Sequence, residues 1–171
     1  TVADILATVK ELELRGYTFD AADASFELLL RRALDGGLPD YFIVESWRVI
    51  TDSRGDDDAL SEATVKVVAA GERVVTTGEG NGPVNALDHA LRSGLSTAYP
   101  EISELELVDY KVRILDTEHG TDAITRVLIE TSDGTTTWST IGVAANILEA
   151  SWDALLESVT YGLIRAGVTP R

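Results

Sequence analysis

The chain has no cysteine in 171 residues. That excludes disulfides, thiolate catalysis and cysteine-based zinc sites. Histidine is nearly absent as well. His89 and His119 lie far apart, and neither has a metal-ligand spacing around it. No uninterrupted apolar run reaches the length of a membrane span. The first residues, TVADILATVKELELRG, carry Asp4 and Glu11 and no basic stretch, so they do not read as a secretory signal. Positive charge is short: 14 Lys and Arg stand against 29 Asp and Glu, a net charge of −15. A surface that negative repels nucleic acid and anionic lipid and disfavours polyphosphate ligands. A soluble, cytoplasmic protein is the default these absences leave. The composition agrees, at 44% apolar and 25% charged. The length suffices for one good core, or a small core plus an appendage.

Periodicity divides the chain. Val2, Ile5, Leu6, Val9 and Leu12 form one apolar stripe of helical spacing, closed by Gly16. Asp20 is positioned to cap a second helix with Phe26, Leu29, Leu30 and Ala33 as its buried stripe, ended by Gly36, Gly37 and Pro39. Two short helices cannot bury both faces alone, so this segment needs a partner. Beyond Pro39 the texture becomes β-branched and aromatic. Strands are expected over residues 41–51, 63–70 and 72–77, then a helix over 83–95. A second round follows: strands over 104–116, 123–131 and 135–143, the last two a hairpin around Ser132, Asp133 and Gly134, and a helix over 147–165. Residues 53–61 and 118–121 read as loops. Within the first, Gly55 to Asp58 has three successive aspartates and no apolar anchor, so it is expected to be mobile surface.

The two rounds repeat one another. Gly78 and Gly142 are 64 positions apart, as are Ala86 and Ala150, Ala90 and Ala154, and Leu91 and Leu155. Trp47-Arg48-Val49 and Tyr110-Lys111-Val112 open the rounds at nearly the same offset. The expected fold class is α+β: two strand-strand-strand-helix units in tandem (about 39–97 and 103–166), each with an antiparallel three-stranded sheet, in a domain spanning 39–171. A two-helix linker segment, 1–38, precedes it. Each such sheet has one covered face, so the units must pack on each other or on another chain.

The most distinctive stretch is TTGEGNGPVNALDHAL, residues 76–91. Three readings compete for it. A phosphate loop needs backbone N–H groups and usually a lysine, but Glu79 lies among the glycines and no basic residue precedes Arg92. A tight strand-to-helix turn puts Gly82 at the N-cap and Pro83 at N1, with Gly78 and Gly80 allowing close packing. A zwitterion site uses the helix N-terminus for a carboxylate and a side-chain carboxylate for an ammonium. In the second unit, Asn146 and Glu149 have a capping-box spacing at the start of the last helix.

GEGNGPVNALDHAL, VDYKVRIL, GTDAITRVLIE and WSTIGVAANILEASWDAL together resemble the C-terminal regulatory domain of the isopropylmalate synthase and citramalate synthase family. GYTFDAADASFELLLRR resembles that family's linker subdomain, and with DYKVRIL and NILEASW it points to the citramalate branch. The resemblance covers nearly the whole chain. It implies a fragment that is not itself an enzyme and needs no cofactor. The parent would carry an N-terminal catalytic barrel condensing acetyl-CoA with a 2-oxo acid, pyruvate in the citramalate branch, on a divalent metal. The fragment would form a homodimer and bind a branched-chain amino acid, isoleucine in that branch, as feedback inhibitor. Carried over by motif, the effector site would take Gly80, Asn81, Gly82 and Val84 from the glycine stretch. Asp109, Tyr110 and Ile114 would come from the long strand, Ala123 from the next, and Asn146 and Ile147 from the last helix start. Alternation qualifies the strand residues: Tyr110, Val112 and Ile114 share one face, Asp109, Lys111 and Arg113 the other. Tyr110 reads equally as a sheet core residue. The effector's carboxylate belongs at a helix N-terminus, either Asn81-Gly82 or Asn146. The alternatives are the same domain of a 2-isopropylmalate synthase sensing leucine, and a stand-alone amino-acid-binding or oligomerisation domain. Ser25, Ser151 and the histidines lack the spacing of a hydrolase triad.

Overall fold

The computed structural model describes residues 1–34, 36–115 and 123–171. His119, the expected loop over 118–121 and the far end of the expected strand at Asp116 lie outside them. Two helices come first, α1 (Val2–Leu14) and α2 (Asp23–Leu34). Then follow β1 (Phe42–Asp52), β2 (Leu60–Ala69), β3 (Glu72–Gly80) and α3 (Pro83–Leu95). After a 3-10 turn at Pro100–Glu104 come β4 (Glu106–Ile114), β5 (Thr125–Ser132), β6 (Thr137–Ala144) and α4 (Ile147–Arg165). The strands form two antiparallel sheets, β1-β2-β3 and β4-β5-β6, giving the expected α+β class. By internal contacts, Thr1–Leu38 groups with Leu105–Gly162, and Pro39–Glu104 groups with Leu163–Arg171. This division cuts the chain differently from the 1–38 and 39–171 boundaries read from sequence.

The register makes the duplication concrete. Ser61 pairs with Gly80, and Thr125 pairs with Ala144. Trp47 pairs with Val65, and Tyr110 with Ile129. Each first strand carries a bulge at the matching place, between Val44 and Ser46 and between Leu107 and Asp109.

In the unit built on the first repeat, Ala63, Val65 and Val67 of β2 face a helix stripe of Ala86, Leu87, Ala90, Leu91 and Leu95, all fully buried. The strand β3 does not stop at Thr77, as the glycines suggested, but runs through Gly80. Backbone approach explains why. A Cβ on Gly78 would lie 2.4 Å from the Ala90 nitrogen, and one on Gly80 2.4 Å from Asn85 Oδ1 and 2.7 Å from the Ala86 nitrogen. The glycines are strand positions on which the helix rests. Gly82 is the N-cap and Pro83 follows at N1, as the turn reading required. The residues of Gly55 to Asp58 are exposed.

In the unit built on the second repeat, α4 covers the sheet in the same manner. A Cβ on Gly142 would meet Ala150 oxygen at 1.8 Å. Thr140 Oγ1 donates to the Ala154 carbonyl at 2.8 Å, and its counterpart Thr76 Oγ1 donates to the Ala90 carbonyl at 2.8 Å. Trp138 Nε1 donates to the Ser158 carbonyl at 3.3 Å.

The linker helices correct two expectations. The helix α2 begins at Asp23, not after Asp20, and its buried residues are Ala24, Ser25, Leu28 and Leu29. Phe26 and Ala33 are exposed; the Phe26 ring lies tilted against Phe19, centroids 5.8 Å apart. The small residues Ala24 and Ser25 let α2 approach the open edge of β6. There Asp23 Oδ1 accepts from Ser139 N at 2.8 Å, and Ser25 Oγ from Ile141 N at 2.9 Å. Two strand-edge donors are thus satisfied by side chains. The second correction concerns the sheet's other face. Ala22, Tyr17 and Phe19 pack with Ile141, Val143 and Leu128, so this sheet is covered on both sides. Arg126 Nε donates to the Gly16 carbonyl at 2.8 Å and ties the same turn down. The apolar stripe of α1 buries no residue fully.

Candidate functional site

The start of α4 sets a capped helix N-terminus beside apolar surface. Asn146 caps the helix, its Oδ1 accepting from Leu148 N at 2.7 Å. The remaining first-turn N–H groups carry the positive end of the helix dipole. Beside them lies an open cavity of about 460 Å³ lined by Val112, Ile114, Thr125, Ala145, Asn146, Ile147 and Leu148. Ile114, Val112 and Ile147 remain 57%, 41% and 43% exposed. β-Branched side chains at the mouth hold their shape because χ1 has few options. A carboxylate at the helix end and an aliphatic side chain against these residues is the ligand chemistry this cavity suits.

Three residues expected from sequence therefore meet here: Ile114, Asn146 and Ile147. Tyr110 stands on the same strand face, further from the mouth. Its hydroxyl is 2.8 Å from Ser151 Oγ, and Ser151 Oγ donates to the Ile147 carbonyl at 2.7 Å. Tyr110 thus braces the first turn that lines the cavity. Asp109 faces away from it and pairs with Lys111 at 3.4 Å, the lysine largely in solvent and the aspartate partly so. The bulge at Val108 precedes Asp109 and does not bring it round to the Tyr110 face. Ala123 is buried just ahead of β5 and is not among the residues lining the cavity. Val112, Thr125, Ala145 and Leu148 were missed. Alternation with Ile114 was the available signal for Val112; none marked the other three.

Gly80, Asn81, Gly82 and Val84 belong to the other unit. Gly82 caps α3 with an extended backbone and no side-chain hydrogen bond. Asn81 is exposed and Val84 half-buried. The matching end of the β1-β2-β3 sheet holds a second cleft of about 510 Å³, whose character differs. It is lined by Asp52, Asp57, Asp58, Glu62 and Glu79, with Arg54, Ile50, Leu60 and Ser61. Of the glycine stretch, only Glu79 reaches it. His89 donates from Nδ1 to the Glu79 carbonyl at 2.7 Å, tying α3 to the end of β3.

Comparison with known proteins settles the family. The model of the LeuA allosteric (dimerisation) domain matches residues 20–163. The chain belongs to the LeuA allosteric domain family. Among curated relatives of this LeuA domain, the (R)-citramalate synthase of Streptomyces coelicolor is 60% identical over 169 residues, which is 99% of this chain and 32% of that protein. The (R)-citramalate synthase of Synechocystis sp. is 50% identical over 163 residues, 93% of this chain and 30% of that protein. The 2-isopropylmalate synthase of Ruminiclostridium cellulolyticum is 26% identical over 130 residues, 76% of this chain and 23% of that protein. The LeuA domain described here therefore spans about a third, or less, of these relatives' length. Among the described residues, no helix is long and apolar enough to cross a membrane. Nor do three or more His, Cys, Asp or Glu side chains stand together, among those residues, where they would hold a metal ion.

Proposed function

We propose that this LeuA domain is the dimerising, effector-sensing part of a citramalate synthase, and that its effector is isoleucine. The observation that carries the reading is the apolar cavity at the capped N-terminus of α4, on a chain half or more identical to several citramalate synthases. The effector's carboxylate would take the N–H groups after Asn146, and its side chain would lie against Val112, Ile114 and Ile147. The fragment itself would catalyse nothing. The parent would be a cytoplasmic acyltransferase whose separate barrel joins acetyl-CoA to pyruvate with a divalent metal. The second reading, leucine sensing in a 2-isopropylmalate synthase, is favoured only by the more distant relative.

A thermal melt with isoleucine, leucine and valine at equal concentration tests the proposal. A ligand at a hundred times its Kd adds about 2.7 kcal/mol, an upward shift of very roughly 5 °C for a chain of this size. Isoleucine is expected to give the largest shift. Ile114→Asp is expected to remove it with the unliganded melting temperature nearly unchanged, because Ile114 is mostly exposed. No shift with any of the three overturns the sensing role. A larger shift with leucine moves the parent to the isopropylmalate branch. Light scattering that finds a monomer at high micromolar concentration with effector present overturns the homodimer.

A further inference from the structure

Thr125 opens β5 on the face it shares with Val127 and Ile129, and it is only 8% exposed. It lines the cavity at the head of α4. A hydroxyl so far from bulk water is expected to have a hydrogen-bond partner. Among the described residues, none pairs with Thr125 Oγ1. Thr131 Oγ1, further along the same strand, also lacks a partner, but it is wholly enclosed and lines no cavity described here. Thr125 differs in standing at the wall of an open one.

The first repeat shows how such a position is satisfied within the chain. Ser61 holds the matching place: it pairs with Gly80 as Thr125 pairs with Ala144. It lines the cleft at the same end of its own sheet and is 1% exposed. Its Oγ lies 2.9 Å from Oγ1 of Thr51, the residue across from it on β1. In the second repeat the residue across from Thr125 is Ile114. Isoleucine offers no hydrogen bond. The side chain that makes the cavity apolar therefore also leaves the hydroxyl beside it open.

Little else in the wall is polar. Among the described residues that line the cavity no side chain is charged, and apart from Thr125 only Asn146 is polar. Asn146 Oδ1 is already engaged by Leu148 N. The first-turn N–H groups of α4 are donors and suit a carboxylate. An ammonium on the same ligand needs an acceptor, and a threonine hydroxyl can accept twice. We propose that Thr125 is the ammonium-reading residue of this cavity: its hydroxyl accepts a hydrogen bond from the α-ammonium of a bound aliphatic amino acid. The proposal rests on the reading of the cavity as an amino-acid site. It adds the group that tells an amino acid from a plain carboxylic acid of the same skeleton.

The test is calorimetric titration of the 171-residue chain with isoleucine and with 3-methylpentanoate, which has the same skeleton and no ammonium. Thr125→Val keeps the shape of the side chain and removes the hydroxyl. It is expected to weaken isoleucine about tenfold or more and to leave 3-methylpentanoate within about twofold. Thr125→Ser, which keeps the hydroxyl, is expected to bind isoleucine within about threefold of the unaltered chain. Should 3-methylpentanoate bind too weakly to titrate, the serine variant decides: the proposal stands if serine restores what valine loses, and falls if it does not. It also falls if valine weakens both acids alike, or neither. Without ligand, Thr125→Val is expected to melt within about 2 °C of the unaltered chain, and Ser61→Ala, which breaks a hydrogen bond, lower than that. An equal drop in both variants would mean that Thr125 has a partner within the chain, and would overturn the proposal. An unaltered chain that binds neither acid removes the amino-acid reading itself. Isoleucine binding that Thr125→Val does not disturb removes only the role of Thr125.

Discussion

The two repeats share register, bulge and helix contact, yet they end in opposite surroundings. At the edge of β6, the N–H groups of Ser139 and Ile141 are taken by Asp23 and Ser25. Their counterparts on β3 are Val75 and Thr77, and no described side chain caps these. At the open end of the sheets, the second repeat has an aliphatic cavity and the first a cleft of carboxylates. The shared features are those in which backbone meets backbone or a buried hydroxyl meets a carbonyl. The differing features are side-chain choices at edges and mouths. Duplication has preserved the packing and left the surfaces free to specialise.

Three measurements break or sharpen this comparison. The largest effect is expected from Gly142→Ala. Its Cβ would sit 1.8 Å from a backbone oxygen that cannot turn aside, whereas Gly78→Ala meets its nearest backbone at 2.4 Å. Overpacking against backbone is expected to cost about 3 kcal/mol or more at Gly142 and somewhat less at Gly78. The drop in melting temperature would be roughly 6–12 °C for the former. Equal drops would mean that the two helix contacts are alike after all. Next come the paired threonines. Thr140 is fully buried and Thr76 only partly so, but each donates to a helix carbonyl. Replacement by valine is expected to cost about 1–3 kcal/mol at Thr140, where the Ala154 carbonyl loses its donor away from water, and about 1 kcal/mol at Thr76. Denaturant unfolding of the two variants reads the difference directly.

The smallest effect lies in the hairpin turns. Asp133 accepts from the Thr135 and Thr136 amides, which hold its carboxyl far below the usual aspartate range. A depressed carboxyl contributes order above its unfolded value and loses it as pH falls through the folded one. The Thr135 and Thr136 amides are therefore expected to lose their hydrogen-bonded chemical shifts only in strong acid. The other hairpin turns at Ala70 and Gly71, both at positive φ, and no described side chain accepts from their amides, so these should not respond. A parallel acid response in both turns would point to general unfolding instead.

The sequence showed the parts governed by period and punctuation. Pro83 and Gly82 marked the start of α3, and the apolar stripe of α4 marked its whole length. The face of α2 was misread because Ala24 and Ser25 carry little hydrophobic signal, and their value lies in smallness and a hydroxyl at a strand edge. The glycines of β3 were ambiguous for a related reason. A glycine that admits a helix and one that makes a turn look the same in a string of letters. At the candidate site, Ile114, Asn146 and Ile147 are brought together by the duplicated topology, but Asp109 is not. Strand alternation already separated Asp109 from Tyr110, and the motif-level match could not override it.

The contacts of α4 along β6 also amount to a ruler. Gly142 meets Ala150, Thr140 meets Ala154, and Trp138 meets Ser158. Two residues of strand therefore match four of helix, steps of about 6.8 Å and 6.0 Å. The mismatch is only about 0.8 Å per step, so three rungs accumulate about 1.6 Å between first and last, which side chains absorb. A shift by a single residue of either element would put every rung out of phase. The position of Asn146 over the end of the sheet is then set by this phasing. The two-residue connection at Ala145 and Asn146 merely follows it, and its composition is free to change the chemistry of the cavity without moving the helix that frames it.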